Sequence, residues 1–308
     1  MLVAAVFMLA APTTRVAAQA GAQVAAPPPA AQNPSPMSEL TRAHERLSRK
    51  VLDGTTGSFV GTAGKLVEVY VPNRARSRET FDLVVHFHGE AWLPQQAVAA
   101  LGTHPVAAVL NLGTGSGIYD RAFSDPSSFD SLLAGVTRHV AAVTGHAMDI
   151  GRVTLVGFSA GHGAVRAILR EPRHFASVYA VLLIDGMHTS YLPEGKVLAL
   201  GGTLDTTNLV AFTNFARAAM RGEKRFLVTH SEIFPGTFVS TTESADWLLR
   251  ALNVHRSAVL RWGPRGLQQL SEARSGGFEL RGYAGNSAPD HVDQLHAMPE
   301  LVTQLLKR

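Results

Sequence analysis

Short apolar segments alternate along the chain with longer segments of helical spacing. The apolar segments are rich in β-branched residues and are typical of strands, several of them apolar enough to be covered on both faces. These predicted strands are residues 65–72, 82–89, 105–112, 153–156, 177–185, 225–230 and 277–283. The predicted helices, in which apolar residues recur three or four positions apart, are residues 38–52, 94–101, 127–144, 164–169, 205–221, 241–252 and 290–306. Strands that alternate with helices predict an α/β fold, a doubly wound and mostly parallel sheet with helices on both faces.

The first residues follow a different pattern. Residues 1–11 are almost wholly apolar, and residues 18–20 (Ala-Gln-Ala) have the small-x-small pattern of a cleavage site. Because the apolar run is too short to span a bilayer, residues 1–20 predict a signal peptide rather than a membrane anchor. Residues 21–38, rich in proline and alanine, form a predicted linker that buries nothing. We therefore expect an exported protein, periplasmic or secreted, without stable membrane insertion, whose domain is residues 39–308.

Composition excludes some classes of function. A chain of 308 residues with 46% hydrophobic content can bury a full core. The net charge of +4 is small for this length, and no basic stripe is interleaved with aromatic residues, so a nucleic-acid partner is not expected. The chain has no cysteine, so neither disulfides nor thiol chemistry contribute.

One motif lies between the predicted strand 153–156 and the predicted helix 164–169. Residues 157–161 read G-F-S-A-G and fit the G-x-S-x-G pattern in the strand-to-helix context that the pattern requires. Glycines flank the serine because neighbouring segments must approach a sharp, strained turn. Such a turn exposes Ser159 as a nucleophile. It also directs the amide of Ala160 toward the space where an oxyanion would form.

Three local features occur in a meaningful order: His88-Gly89 after an early strand, the motif at residues 157–161, and His291 just after the last predicted strand. Together they resemble the α/β-hydrolase superfamily, in particular its bacterial esterase-like members, from about residue 65 onward. The resemblance implies a serine hydrolase that cleaves a carboxylic ester through an acyl-enzyme. It implies no metal and no organic cofactor, and its substrate is a small-molecule or polymer ester.

The remaining members of the triad follow from the same resemblance. His291 is the expected general base, because an imidazole titrates near neutral pH. His296 is a rival that lies one helical turn later. The acid stays open between Asp185, at the end of one predicted strand, and Glu232, after the next strand. Asp205 is a third choice, although we interpret it as a helix cap.

Further residues are expected around the substrate. The second oxyanion amide is predicted at Glu90 or Ala91, in the loop after His88-Gly89. We expect substrate contacts from His88, from Trp92 and from Tyr119. The last of these follows the glycine-rich residues 113–117, for which a loop on the substrate side is the preferred interpretation.

Two other functions remain as hypotheses. A binding protein of the cell envelope could retain the fold without catalysis, because fold alone does not define function. A metallohydrolase could use His86 and His88, two positions apart on one strand, as ligands. The second hypothesis is disfavoured because the further tightly spaced histidines and aspartates of a dinuclear site are missing from the sequence.

Overall fold

The computed structural model describes residues 44–75 and 78–307. The predicted signal peptide and linker lie outside the described residues. The main sheet has ten strands, β1 to β6 and β9 to β12, while β7 and β8 form a separate pair. The strands are β1 Gly54–Val60, β2 Leu66–Pro72, β3 Thr80–Phe87, β4 Val106–Leu110, β5 Asp149–Phe158, β6 Val178–Ile184, β7 Tyr191–Leu192, β8 Thr203–Leu204, β9 Arg225–His230, β10 Ser257–Trp262, β11 Gln268–Ser275 and β12 Phe278–Tyr283.

Helices connect most of the strands. They are α1 Trp92–Ala99, α2 Ser116–Ala122, α3 Pro126–Thr144, α4 His162–Arg170, α5 Pro172–Ser177, α6 Val210–Met220, α7 Thr241–Leu252, α8 Ala288–His296 and α9 Met298–Lys307. No helix among the described residues is long and apolar enough to cross a membrane.

The order of strands in the main sheet is β1-β2-β4-β3-β5-β6-β9-β12-β11-β10. The six central strands, β4 to β12 in that order, pair in parallel. The pairs at both edges, where β1 and β2 lie on one side and β11 and β10 on the other, are antiparallel. This arrangement confirms the predicted doubly wound, mostly parallel sheet.

Both faces of the sheet are covered by helices, and strand β6 shows why. Its residues Val181 and Leu183 belong to the core under α3, α4 and α6. The alternate residues Leu182 and Ile184 belong to the core under α1 and α9. Because side chains alternate across a strand, a continuous apolar run serves two hydrophobic layers. Parallel strands end at the same edge, so the loops that follow β3, β5, β6, β9 and β12 meet there.

Several predicted elements differ from the structure. The described part of the predicted helix 38–52 is not helical: the amides of Leu47 and Lys50 donate to side chains instead of to a helix. Strands β1, β10 and β11 were not predicted. They lie in the antiparallel parts toward the sheet edges, where β1 and β11 bury at most alternate residues and five of the six residues of β10 are exposed. Helix α2 begins directly after Gly115, where no immediate helix was expected. The predicted helix 290–306 is divided at Ala297 into α8 and α9.

Candidate active site

The predicted turn around Ser159 is present. Strand β5 ends at Phe158, and α4 begins at His162 after one turn of 3-10 helix. Ser159 has φ +46°, a left-handed conformation that is unusual for a residue with a side chain. Gly161 is required by close approach, because an added Cβ would lie 2.1 Å from the carbonyl oxygen of Phe87. Strained backbone of this kind concentrates at functional sites.

His291 lies in the first turn of α8. Ser287 caps this helix, and its side chain exchanges hydrogen bonds with Asp290 in a capping box. The His291 ring donates from Nδ1 to Oδ2 of Asp185 over 2.7 Å. The proton is placed on Nδ1 because an ionised carboxylate can only accept. The lone pair of Nε2 is then available as a base.

Asp185 directly follows β6, is 2% exposed and has φ +42°. Its Oδ1 accepts from the amide of Ser231 and the hydroxyl of Thr241, and its Oδ2 accepts from the hydroxyl of Ser231 as well as from His291. Burial alone would raise the pKa of Asp185, but the hydrogen bond and charge of His291 and the two hydroxyl donors outweigh it and lower the pKa. Asp185 is therefore ionised at neutral pH and orients the imidazole.

Of the two candidate acids, Asp185 is the one whose carboxylate contacts His291. Glu232 is exposed, and its backbone amide, rather than its carboxylate, contacts the loop before α8, on the carbonyl of Gly285. The third choice, Asp205, caps the short helical turn before α6 by accepting from Thr207, as interpreted. His296 accepts the amide proton of Leu47 and lies beside Trp92, away from Ser159.

An aromatic stack holds the ring of His291 from one side. Phe158 stacks on His291 with ring centroids 4.6 Å apart, and His88 stacks on Phe158 at 5.8 Å. Burial and, secondarily, the charge of His291 lower the pKa of His88, so His88 is neutral at neutral pH. Nδ1 of His88 shares a hydrogen bond of 3.0 Å with the hydroxyl of Tyr119. His88 therefore supports the base through Phe158.

Ser159 and His291 line the same cavity of about 350 Å³, which we call the His291 cavity. Much of its remaining wall is apolar. The apolar lining residues are Ile233, Phe234, Pro235, Phe238 and Ala288.

A second cavity, of about 560 Å³, also borders Ser159, and we call it the Arg166 cavity. It shares Ser159, His188 and Phe238 with the His291 cavity. Part of the glycine-rich loop lies in its wall, as expected for a loop beside the site. The further lining residues are Gly115, Ser116, Gly117, Ala160, His162, Arg166, Thr189, Ser190 and Asn208.

The two predicted oxyanion residues lie in suitable loops. Ala160 follows Ser159 directly and lines the Arg166 cavity. Glu90 follows Gly89, which lies close to Phe158: an added Cβ on Gly89 would be 4.0 Å from the Phe158 ring. The Glu90 side chain turns outward and accepts the indole N–H of Trp92 over 2.9 Å. The predicted oxyanion donor is the backbone amide of Glu90, not its side chain.

The predicted substrate contacts need correction. Tyr119 is fully buried, and its hydroxyl contacts the amide of Leu112, the carbonyl of Gly113 and the side chain of Asn111. It fixes the loop after β4 and cannot reach a substrate. Trp92 packs beside the second core, outside the walls of both cavities that contain Ser159. His88 is likewise absent from both walls and acts on the stack described above.

His86 and His88, the hypothetical metal ligands, both have hydrogen-bond partners within the protein. Nε2 of His86 donates to the carbonyl of His88 over 2.7 Å, and burial lowers the pKa of His86 to about 4. Among the described residues, the only group of three potential ligands is His44, Asp290 and Asp293. Its carboxylates already cap α8 and pair with basic side chains. The residues in this structure thus give no support to the metallohydrolase hypothesis.

Several residues of the site were not predicted from the sequence. The hydroxyls of Ser231, directly after β9, and Thr241, at the start of α7, donate to Asp185. A hydroxyl residue close to a strand end or helix start was the only sequence signal for this role. Gly186 packs directly on Ser159: an added Cβ would lie 2.6 Å from the carbonyl oxygen of Ser159. A glycine immediately after a candidate acid was the signal there. Arg166, seven positions after the nucleophile, gave no signal beyond a charge on a helix.

Neither a family model nor a curated protein matches the sequence. Among solved structures, the chain is similar to an esterase domain from a Rhodothermus marinus protein (16% identity, 81% of this chain and 96% of that chain covered, TM-score 0.39). It is also similar to carboxyl esterase 2 from Tuber melanosporum (12%, 83% and 89%, 0.45). A third is an S-formylglutathione hydrolase from Agrobacterium tumefaciens (16%, 86% and 99%, 0.43).

The chain has an α/β-hydrolase-like fold on the evidence of its own strands and loops. The parallel strands follow the order β4-β3-β5-β6-β9-β12, and the turn with Ser159 follows β5. Asp185 follows β6, and His291 follows β12. The fold therefore delivers a serine, an acid and a histidine to one edge of the sheet.

Proposed function

We propose that this chain is a serine hydrolase that cleaves carboxylic esters through an acyl-enzyme. The observation that carries the proposal is the hydrogen bond of 2.7 Å between the His291 ring and the buried carboxylate of Asp185. His291 lines the same cavity as Ser159. A binding protein has no need of an ionised, fully buried carboxylate that fixes the tautomer of one histidine.

The first chemical step forms the acyl-enzyme. Nε2 of His291 accepts the hydroxyl proton of Ser159 as Oγ attacks the ester carbonyl carbon. The carbonyl oxygen becomes an oxyanion, stabilised by the amides of Ala160 and Glu90. The imidazolium, stabilised by Asp185, then returns its proton to the leaving alcohol as the C–O bond breaks.

The second step regenerates the enzyme. His291 removes a proton from water, and the resulting hydroxide adds to the acyl carbon. When the tetrahedral intermediate collapses, the Oγ of Ser159 leaves and takes the proton back from His291. The products are the free acid and the alcohol. No step in this sequence uses a metal or an organic cofactor.

The proposal is tested by hydrolysis of benzyl esters of short fatty acids. We expect the S159A variant to lose at least about 10³-fold in kcat/KM and the H291A variant to lose a similar amount, because the two residues act as one unit. Ser124→Ala is the matched control: Ser124 is exposed and donates only to a neighbouring carbonyl. Equal rates in the wild type and the S159A variant would overturn the proposal. A well-folded wild type that binds but does not cleave esters would favour the envelope binding protein.

Two accompanying expectations concern cell biology. Export to the periplasm or the medium depends on residues 1–20, and the natural substrate is a small-molecule or polymer ester. Both are part of the proposal. N-terminal sequencing of the protein recovered from a periplasmic fraction tests the first.

A further inference from the structure

We propose that the Arg166 cavity binds the acyl half of the substrate and that Arg166 selects acyl groups that end in a carboxylate. The inference rests on the proposed function. It assigns a substrate class, monoesters of short dicarboxylic acids with an apolar alcohol.

The direction of proton transfer indicates which half of the ester each cavity binds. The leaving alcohol must take its proton from His291, so it departs through the cavity that His291 lines. That cavity has an apolar wall which includes Ile233, Phe234 and Phe238 and suits an apolar alcohol. The acyl group stays on Ser159, and the Arg166 cavity is the cavity beside Ser159 that His291 does not line.

The Arg166 cavity is electropositive. The Arg166 side chain is nine-tenths buried, and its Nε donates to Asp120 over 2.6 Å. Among the described residues, its two terminal amino groups have no hydrogen-bond partner. Asp120 also accepts from Arg170 over 3.1 Å, so two guanidinium groups share one carboxylate and leave an excess of one positive charge.

Nothing else in the wall neutralises that charge. The described lining residues of the Arg166 cavity include no acidic side chain. His162 donates from Nδ1 to the carbonyl of Ser159 and is held neutral, because burial and the nearby His188 and Arg166 lower its pKa well below the usual value. A guanidinium edge with free donors in a polar, partly enclosed cavity is suited to a carboxylate, which it can bind with two parallel hydrogen bonds.

The spacing limits the length of the acyl chain. Residues 159–161 form a 3-10 turn, and Arg166 lies four positions after the start of α4. At about 2 Å per residue in the turn and 1.5 Å per residue in α4, Ser159 and Arg166 are about 12 Å apart along the chain axis. Helical side chains lean toward the N-terminus, which brings the guanidinium closer to Ser159 than that distance. A dicarboxylic acyl group with a few methylene groups between its two carbonyl carbons fits this gap, and glutarate is the representative probe.

The experiment compares two benzyl esters of the same shape. Benzyl hydrogen glutarate carries a terminal carboxylate, and benzyl 5-methylhexanoate carries an isopropyl group in its place. Release of benzyl alcohol gives kcat/KM for each. We expect the wild type to prefer the glutarate ester by at least about tenfold at low ionic strength, as a hydrogen-bonded ion pair implies. The preference should shrink as salt is added.

Variants then assign the preference to one side chain. R166Q should abolish the preference by slowing the glutarate ester much more than the neutral ester, and R166K should retain part of the preference. R173Q is the control, because Arg173 is exposed, pairs with Asp130 instead of Asp120 and lies outside the cavity wall. It should leave the preference unchanged.

The outcomes separate this inference from the proposed function. Ser159-dependent hydrolysis of both esters without a preference for glutarate in the wild type overturns the selectivity alone. An equal loss of preference in R166Q and R173Q also overturns it. Hydrolysis of neither ester counts against the proposed function itself. Because the wild-type preference and its salt dependence need no variant, a poorly folding R166Q protein still leaves the inference open to refutation.

Discussion

Replacement of Asp185 by asparagine probes the buried acid with little change of shape. In the native site, each carboxylate oxygen accepts hydrogen bonds from two donors, among them Ser231, Thr241 and the ring of His291. An amide has one accepting oxygen and one donating NH₂ group. One side of the Asp185→Asn residue would therefore face groups that are themselves donors.

The consequence for catalysis follows from the tautomer. If the amide oxygen of the new asparagine accepts the hydrogen bonds of Ser231 and Thr241 in place of Oδ1, its NH₂ group faces Nδ1 of His291. The imidazole must then accept at Nδ1 and carry its proton on Nε2, where it can no longer take a proton from Ser159. We expect kcat to fall by about 10³- to 10⁴-fold, which is about 4–5.5 kcal/mol of transition-state stabilisation. Lost hydrogen bonds to a buried charge should lower the free energy of unfolding by about 1–3 kcal/mol.

The assay is hydrolysis of a neutral benzyl ester, combined with urea unfolding to show that the variant is folded. Glu232→Gln is the control, since Glu232 is the exposed acid at the neighbouring strand end. It should keep its rate within about twofold, as surface substitutions usually do. A folded Asp185→Asn protein that retains more than a tenth of the wild-type kcat would refute the reasoning. So would an equal loss in the Glu232→Gln protein.

Two further predictions concern the framework of the site. The Gly161→Ala variant should unfold at a lower urea concentration and lose activity, because its Cβ would lie 2.1 Å from the carbonyl oxygen of Phe87. The control Gly102→Ala, with open space around residue 102, should be nearly neutral. Equal urea midpoints for the two variants would contradict the prediction. His230 is fully buried, and burial, followed by the charge of Arg256, lowers its pKa to about 4. Stability due to neutral His230 is fully present above pH 6.5 and is lost as pH falls toward 4, about 3 kcal/mol in all. The His230→Gln variant should lose correspondingly less free energy of unfolding between pH 7 and 4.5, and an unchanged pH dependence would count against the assignment.

Local patterns predicted much of the fold and the centre of the site. The central strands are recognisable because both faces are apolar, and the turn around Ser159 combines glycine spacing with strand-to-helix context. His291 was found by its position after the last strand. Each of these signals lies within a few residues, which is why the sequence alone was sufficient to place them.

The choice of acid depended on tertiary structure. Asp185 and Glu232 both follow a parallel strand, and only the packing of α8 against the sheet determines which carboxylate meets His291. The substrate contacts were wrong for a related reason. Tyr119 was expected to reach a substrate, yet its hydroxyl is drawn into the core by the loop after β4. Sequence order says which loops share an edge, but not which way their side chains turn.

The edges of the sheet were missed because their patterns are weak. Strand β1 consists largely of glycine and small polar residues, which do not distinguish it from a loop. Strand β10 contains apolar residues, but five of its six residues are exposed, so it has no buried face that would identify it as a strand. Arg166 is the corresponding case in the site. A single arginine in a helix is ordinary, and its meaning emerges only when α2 and α4 bring Asp120 beside it.

The most direct test of the central claim is the mass of the protein after treatment with a fluorophosphonate, which phosphonylates an activated serine. We expect one adduct per chain, located by peptide mapping on Ser159, with its formation strongly slowed in the Asp185→Asn protein and absent from the Ser159→Ala protein. A folded wild type that acquires no adduct, or one that acquires it on another serine, would contradict the assignment of Ser159 as the nucleophile.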